Sequence, residues 1–416
     1  MLHRLRIAVV LLAVLSVPTA CTQATKTDAT KTDAPERVVY TYNGPACAPI
    51  GFLKAPAKPK GAVRLAAYNV ENLFDGKDDP ALKGKDDDLA MATDETRLKN
   101  LAAAIKALDA DVLALEEVEG KECLAWFRDT YLKDLGYEHL ASEEVGYYRG
   151  VEQSILSRYP IKSVEIHPEM KISDAAKRMP ADAEARKKQG WADESKLEKD
   201  GFQRSPLVAK IAMPDGSELN LLVVHLKAGG KTFAYQRDLE SLGIVSLMDA
   251  IRAKDKDAQI AVVGDFNATP MQQPVKVLRD KAMGGLISAY ELRPAADKRK
   301  PASDADEDEG SDAPKPKGKS AKTAASDDAK ATGAKYLTHS FVPEDSKGKP
   351  VQRTIDFIML SPSLFQKGVK DSYFVLSTPK AGAAGNDRPK GYGSDHNPVA
   401  VDLQLGGKAG DKPASK

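Results

Sequence analysis

The feature that most constrains this chain is a recurring one: short apolar runs with strand character that break off in a polar residue or cluster. Asn69 closes the run from Val63 within Tyr68-Asn69-Val70-Glu71-Asn72, and Glu117 lies just past Val112–Leu115. His225 ends Leu221-Leu222-Val223-Val224-His225, and Gly264-Asp265-Phe266-Asn267 follows Ile260–Val263. Asp356 interrupts Thr354–Ile358, and Ser394-Asp395-His396-Asn397-Pro398 leads into a last strand that reaches Leu405. Further strands are predicted at Glu152–Ser157 and Leu207–Met213. Between them, Leu98, Leu101, Ile105 and Leu108 recur at helical spacing, and a second helix is predicted from about Thr232 to Arg252. Strands interleaved with helices give an α/β core. Ligands bind at strand ends in such sheets, so six polar ends would line one crevice.

Taken singly, each cluster has a plain structural reading. Asn69 and Asp265-x-Asn267 suit turns, Glu117 suits a helix start, and His225 and His396 suit satisfied structural histidines. Asp356 is harder to dismiss, because a carboxylate between apolar neighbours needs a partner. Six such coincidences at six strand ends are what a convergent site explains in one step.

The rest of the chain bounds the setting. The 61 Lys and Arg nearly cancel 60 Asp and Glu, which excludes a strongly basic nucleic-acid coat. Three cysteines are too few for a disulfide scaffold. Arg4 and Arg6 precede the apolar run Ile7–Val17, too short for a bilayer span but suited to a secretory signal. Val17-Pro18-Thr19-Ala20-Cys21 resembles a lipoprotein cleavage box, so residues 1–21 are read as a signal peptide and Cys21 as a lipid anchor. Ordinary cleavage near Ala20 or Ala24 is the alternative. Either way the protein is expected to be exported, to the periplasm or cell envelope if anchored, otherwise secreted. Cys47 and Cys123 then remain as the pair available for a disulfide.

Residues 22–60, in Thr, Lys, Asp, Ala and Pro near-repeats, read as a flexible tether. The domain is expected over 61–405, with two insertions. Residues 173–201 are charged and Ala-rich, predicted to form an exposed helical insertion or mobile flap. Residues 295–335 and the tail 406–416 lack the apolar content to offset ordering entropy and are predicted disordered.

The ordered clusters from about Ala62 to Leu405, with Gly-Asp-Phe-Asn and Ser-Asp-His-Asn-Pro as the most specific, resemble the endonuclease/exonuclease/phosphatase superfamily. The resemblance implies a DNase I-like four-layer α/β sandwich, with two mainly antiparallel sheets flanked by helices. It also implies Asn69 and Glu117 as the main metal site with Asp395 nearby, and Glu71 as a further neighbour. Oxygen donors of this kind suit Mg²⁺ or Mn²⁺, or Ca²⁺ as a helper. Asp265 would activate water, Asn267 would orient it or hold a phosphate oxygen, and His396 would contact phosphate with Asp356 fixing its tautomer. His225 matches a second family histidine. Glu116 stands where the family usually has Gln, and Glu117 is preferred because it immediately precedes Val118.

The segment Arg149–Arg158 resembles the strand opposite the family site. Tyr147, Tyr148, Arg149 and Arg204 are candidates for contact with phosphate or base. Lys227, Lys231 and Arg237, with Arg149, Arg158 and Arg204, would supply a basic face. The function implied is an exported metal-dependent phosphodiesterase, foremost a nuclease on DNA, with RNA as a further candidate substrate. The alternative is a phosphatase or phospholipase C-type esterase on inositol phosphates or sphingomyelin-like lipids. Nucleic acid is the expected partner, with the membrane reached through the lipid; no protein partner is expected, and the chain is read as a monomer.

Overall fold

The strands pair into two six-stranded sheets with the same internal plan. By residue range their orders are 374–375, 399–403, 63–73, 112–118, 152–157, 139–142 in the first and 161–165, 207–212, 218–225, 259–265, 356–360, 287–288 in the second. The computed structural model describes residues 52, 55–80, 82, 91–194, 197–294, 354–376, 378 and 393–406, all within the unit Ala34–Lys416. In chain order the elements are β1 (Val63–Leu73), α1 (Glu95–Leu108), β2 (Val112–Val118), α2 (Lys121–Tyr131), β3 (His139–Ser142), β4 (Glu152–Ser157) and β5 (Ile161–Glu165). Then come α3 (Ala183–Gln189), β6 (Leu207–Ala212), β7 (Glu218–His225), α4 (Ala234–Lys254), β8 (Gln259–Asp265), α5 (Gln273–Arg279) and β9 (Ile287–Ser288). The last are β10 (Asp356–Leu360), α6 (Pro362–Phe365), β11 (Phe374–Val375) and β12 (Val399–Leu403).

Each sheet has one parallel pair at its centre, β1 with β2 and β7 with β8, and antiparallel neighbours on both sides. A parallel pair needs a long crossover, and α1 and α4 supply it. Asp94 starts α1 by accepting a hydrogen bond from the Arg97 N–H, and its apolar stripe of Leu98, Leu101, Ile105 and Leu108 is buried. That stripe, with Leu124 and Phe127 of α2, covers Ala66, Tyr68, Leu113 and Leu115 on the outer face of the first sheet. Leu239, Leu242 and Val245 of α4 and Val275 and Leu278 of α5 cover Leu222, Val224, Ile260 and Val262 of the second. The inner faces meet through Leu65, Ala67, Val112 and Ala114 against Leu221, Val223, Ala261 and Val263. The result is the predicted helix–sheet–sheet–helix sandwich.

Two boundaries differ from expectation. The stretch assigned to the tether is docked at its end: Phe52 is buried and donates its N–H to Val375 O, and Lys58 pairs with Asp111 at 2.7 Å. The insertion at 173–201 carries the exposed helix α3, as expected, but is anchored by its few apolar residues. Ala175, Met179 and Trp191, with neighbouring Ile172 and Phe202, join the core beneath α4. Low apolar content hid this, because a handful of well-placed side chains is enough to seat a segment of this length. Residues 1–21, 295–335 and 407–416, Cys21 and Cys47 lie outside the described residues. Cys123 is buried, its thiol directed at Leu73 O.

Candidate active site

Strand alternation carries the inner face of each sheet past its apolar core into polar residues at the same end. In the first sheet Ala67 and Ala114 give way two positions later to Asn69 and Glu116, and Ile155 is preceded at the same interval by Gln153. The register aligns these as a row, Asn69 beside Glu116 and Glu116 beside Gln153. In the second sheet Val223, Val263 and Ile358 are replaced by His225, Asp265 and Asp356, again one row across three strands. Two polar rows thus cap the inter-sheet core. All six residues are buried.

The rows meet at Asp265. Its Oδ2 accepts from Asn69 Nδ2 across the sandwich at 3.2 Å and lies 3.4 Å from His225 Nε2 and 3.8 Å from His396 Nε2. Its Oδ1 accepts from the Asn267 N–H at 2.7 Å. Glu117 Oε1 is 3.8 Å from His225 Nε2. The other edge of the His396 ring donates from Nδ1 to Asp356, 2.9 Å from Oδ2. Asp265, Asp356 and His396 present potential ligand atoms within 4.8 Å of one another. Asp395 reaches the same place, its Oδ1 3.8 Å from His396 Nε2 and its N–H bonded to Glu71 Oε2. The core set Asn69, Glu117, His225, Asp265, Asn267, Asp356, Asp395 and His396 is brought to one end of the sandwich.

Local backbone explains how. Between Asn69/Glu116 and Leu73/Val118 the β1–β2 ladder slips, and Glu71, Asn72 and Glu117 take left-handed φ values of 54°, 59° and 64°. This bulge turns Glu117 out of alternation, leaving Glu116 pointing inward. Gly264 has φ 126°, and a Cβ there would collide with Val224 O and with Glu116 Oε1 from the opposite sheet. The glycine of Gly-Asp-Phe-Asn is therefore set by close approach.

Charge follows from burial. Burial raises Asp265 to about 7, and the neighbouring Asp356 adds to the shift while His396 opposes it. Burial alone would lower His396, but the charge and hydrogen bond of Asp356, aided by Asp395 and Asp265, raise it to about 10. His225 is pushed well down by burial and by Arg204 and His396, so it is neutral. Burial, then Asp356 and Asp265, drive Glu116 well upward, and neither of its carboxyl oxygens has a hydrogen-bond partner among the described residues. A buried carboxylate such as Asp265 at about 7 marks a deficit of positive charge. Oxygen donors around it, from Asn69, Glu117 and Asp395, fit a hard divalent ion.

The substrate-contact candidates divide. Tyr148 is half exposed and stacks edge-on against Tyr147, centroids 4.7 Å apart. Arg149 donates to Asn72 Oδ1 beside the bulge. Tyr147 and Arg204 are buried, with Arg204 over the Tyr147 ring and donating to His225 O and Leu226 O. The basic face is mostly used internally. Lys227 pairs with Glu198 at 2.7 Å, Arg237 donates to Lys227 O and Gly230 O, and Arg158 sits at the opposite end with Asp109 and Asp111. A groove of about 520 Å³ lies between α4 and the outer face of β5–β7, and none of the predicted site residues lines it. Sequence reasoning passed over Gln153 as a site residue, although its place two before inward-facing Ile155 carried the signal.

The family model for the endonuclease/exonuclease/phosphatase family matches residues 66–396. The chain belongs to the endonuclease/exonuclease/phosphatase family. Members of this family are phosphoric ester hydrolases, generally dependent on divalent metal. Among solved structures the chain is similar to the human Nocturnin catalytic domain, at 16% identity over 83% of this chain and 95% of that one, with TM-score 0.46. It is also similar to a truncated TDP2 of Caenorhabditis elegans, at 14% identity over 82% and 97%, TM-score 0.46. A mannosyl-6-phosphatase of Bacteroides thetaiotaomicron gives 16% identity over 82% and 99%, TM-score 0.46. No curated protein matches the chain.

Proposed function

We propose that this family member is an exported, divalent-metal-dependent phosphodiesterase that hydrolyses nucleic acid. The observation that carries the reading is the buried Asp356–His396 pair, whose second ring nitrogen, Nε2, lies 3.8 Å from Asp265 Oδ2, itself bonded to Asn69. A divalent ion held by Asn69, Glu117 and Asp395 would offset the charge of the phosphate and of the leaving oxygen. Asp356 holds His396 charged and fixed in orientation, so that Nε2 is presented as a cationic donor to a phosphate oxygen. Asp265, near 7, is suited to take a proton from the attacking water. The Asn267 side chain donates to Leu226 O, which fixes the amide while Oδ1 remains to orient that water.

The exposed ring of Tyr148 favours a nucleotide, since aromatic stacking contributes about 1–3 kcal/mol per base. The internal use of Lys227, Arg237 and Arg158 favours single-stranded or terminal substrates over duplex, whose binding draws on many phosphate contacts. The same shortage of basic side chains favours the second reading, a phosphatase or phospholipase C-type esterase on inositol phosphates or sphingomyelin-like lipids. The deciding experiment incubates purified protein with single-stranded DNA, plasmid, RNA, inositol phosphates and sphingomyelin, with Mg²⁺, Mn²⁺, Ca²⁺ or EDTA. EDTA-sensitive cleavage of single strands is expected, and hydrolysis of lipid or inositol phosphate with intact nucleic acid would reverse the order. Export and anchoring rest on the N-terminal signal and Cys21; a lipid-modified Cys21 at the mature N-terminus is the expected mass-spectrometric result.

A further inference from the structure

Arg97, in the first turn of α1, touches none of the reacting groups, yet it is buried where the first and last motifs of the site meet. The bulge after Asn69 breaks the β1–β2 ladder, so the carbonyls of Val70, Glu71 and Asn72 need other partners. The Arg97 guanidinium supplies them. Nη2 donates to Val70 O and Glu71 O, and Nη1 to Asn72 O at 3.1 Å. Nε turns the other way and donates to Gly393 O at 2.9 Å, immediately before Ser394-Asp395-His396. Two further bonds join the same segments, from Ser394 Oγ to Asn69 O at 2.7 Å and from the Asp395 N–H to Glu71 Oε2 at 2.9 Å. One fork-shaped cation therefore joins the same two chain segments that the Ser394–Asn69 bond links across 325 positions.

We propose that Arg97 is a positioning residue for the site: it locks the left-handed bulge that presents Asn69 and Glu117 to the Asp395–His396 segment, and so sets metal affinity and turnover without contacting substrate. This inference rests on the metal-dependent reading above. A lysine cannot replace the arginine, because a single ammonium on a flexible stem cannot hold four carbonyls that diverge from a planar fork. Groups that orient ligands in this indirect way typically change metal affinity or activity by about 10–100-fold when lost.

The test compares Arg97→Lys and Arg97→Ala with Asp94→Ala, which removes the side-chain cap of the same helix without touching the guanidinium. Three readouts are taken: Mn²⁺ binding by calorimetry, kcat and KM on bis(4-nitrophenyl) phosphate, and backbone hydrogen exchange. Arg97→Lys is expected to weaken Mn²⁺ binding and lower kcat by about tenfold or more, with KM nearly unchanged. Exchange should accelerate together at residues 69–73 and 394–396, while Asp94→Ala loosens α1 only. Wild-type affinity, kcat and exchange in Arg97→Lys, or equal losses in Asp94→Ala, would overturn the proposal. A wild-type protein that neither binds Mn²⁺ nor hydrolyses the ester defeats the metal-dependent reading instead; exchange then still decides whether Arg97 couples the two segments.

Discussion

The two ends of the sandwich treat buried charge in opposite ways. At the end where β1 begins, Arg64 holds Asp402 at 2.7 Å and donates to Leu108 O, while Asp111 is met by Lys58 and Arg158, each at 2.7 Å. Every one of these carboxylates has a cation in contact. At the end where β1 leaves the sheet, Glu116 has no partner among the described residues, and Asp265 is held near 7 by burial and by Asp356. The difference separates charge that is spent on the fold from charge kept for chemistry. Complete pairing makes a rigid anchor; incomplete pairing leaves electrostatic work for a ligand to finish.

The sharpest way to test that contrast is to damage the paired end. Asp402→Ala strands the buried Arg64 and should lower stability by about 3–5 kcal/mol in chemical denaturation, with turnover per folded molecule preserved. A comparable loss of turnover in the folded fraction would erase the distinction between the ends. Next in size, His396→Ala should cut turnover per folded molecule by about 10²-fold, and Asp356→Asn should do nearly the same. Because the two act as a unit, the double variant should cost little more than His396→Ala alone. Strictly additive losses in that steady-state cycle would break the pair.

Smaller effects sharpen the picture. Saturating Mg²⁺ or Mn²⁺ should raise the melting temperature of the wild type, since about 100 Kd of ligand contributes about 2.7 kcal/mol. Glu117→Gln should lose most of that gain, and an unchanged metal response would remove Glu117 from the site. The smallest effect is in pH. His396 is raised from its ordinary 6.5 to about 10, so its contribution to stability is fully present below about 6.5 and is lost as pH rises through 10. In EDTA the melting temperature should therefore decline from pH 7 to 10, and His396→Gln should flatten the decline.

Much of the architecture was legible because its code is local. The helical stripe of Leu98, Leu101, Ile105 and Leu108 and the run Val112–Leu115 each specify their own element and buried face. Asp356 announced itself by lying among apolar neighbours, and its bond to His396 is the partner that position demanded. What was not legible depends on how separate segments meet. Trp191 and Met179 seat the insertion through contacts that no local pattern encodes. Lys227 reads as a free cation in sequence, and only the fold brings Glu198 to it. The short strands β9 and β11 take their form from pairing with β10 and β12, which a two-residue window cannot reveal.

The antiparallel pairing of β1 with β12 has a consequence for how the molecule is made. Arg64 and Asp402 face each other across that ladder although they lie 338 positions apart. The second sheet can close from β5 through β10 while the chain is still growing, but β1, already beside β2, cannot gain its antiparallel neighbour β12 until the last strand emerges. Closing so long a loop is a slow step, because its entropy is lost before the contacts form. His396 lies on the same late segment, immediately ahead of β12. Synthesis order therefore acts as a timer: a nascent or C-terminally truncated chain carries His225, Asp265 and Asp356 on an assembled sheet but lacks the His396 that sits between the two carboxylates.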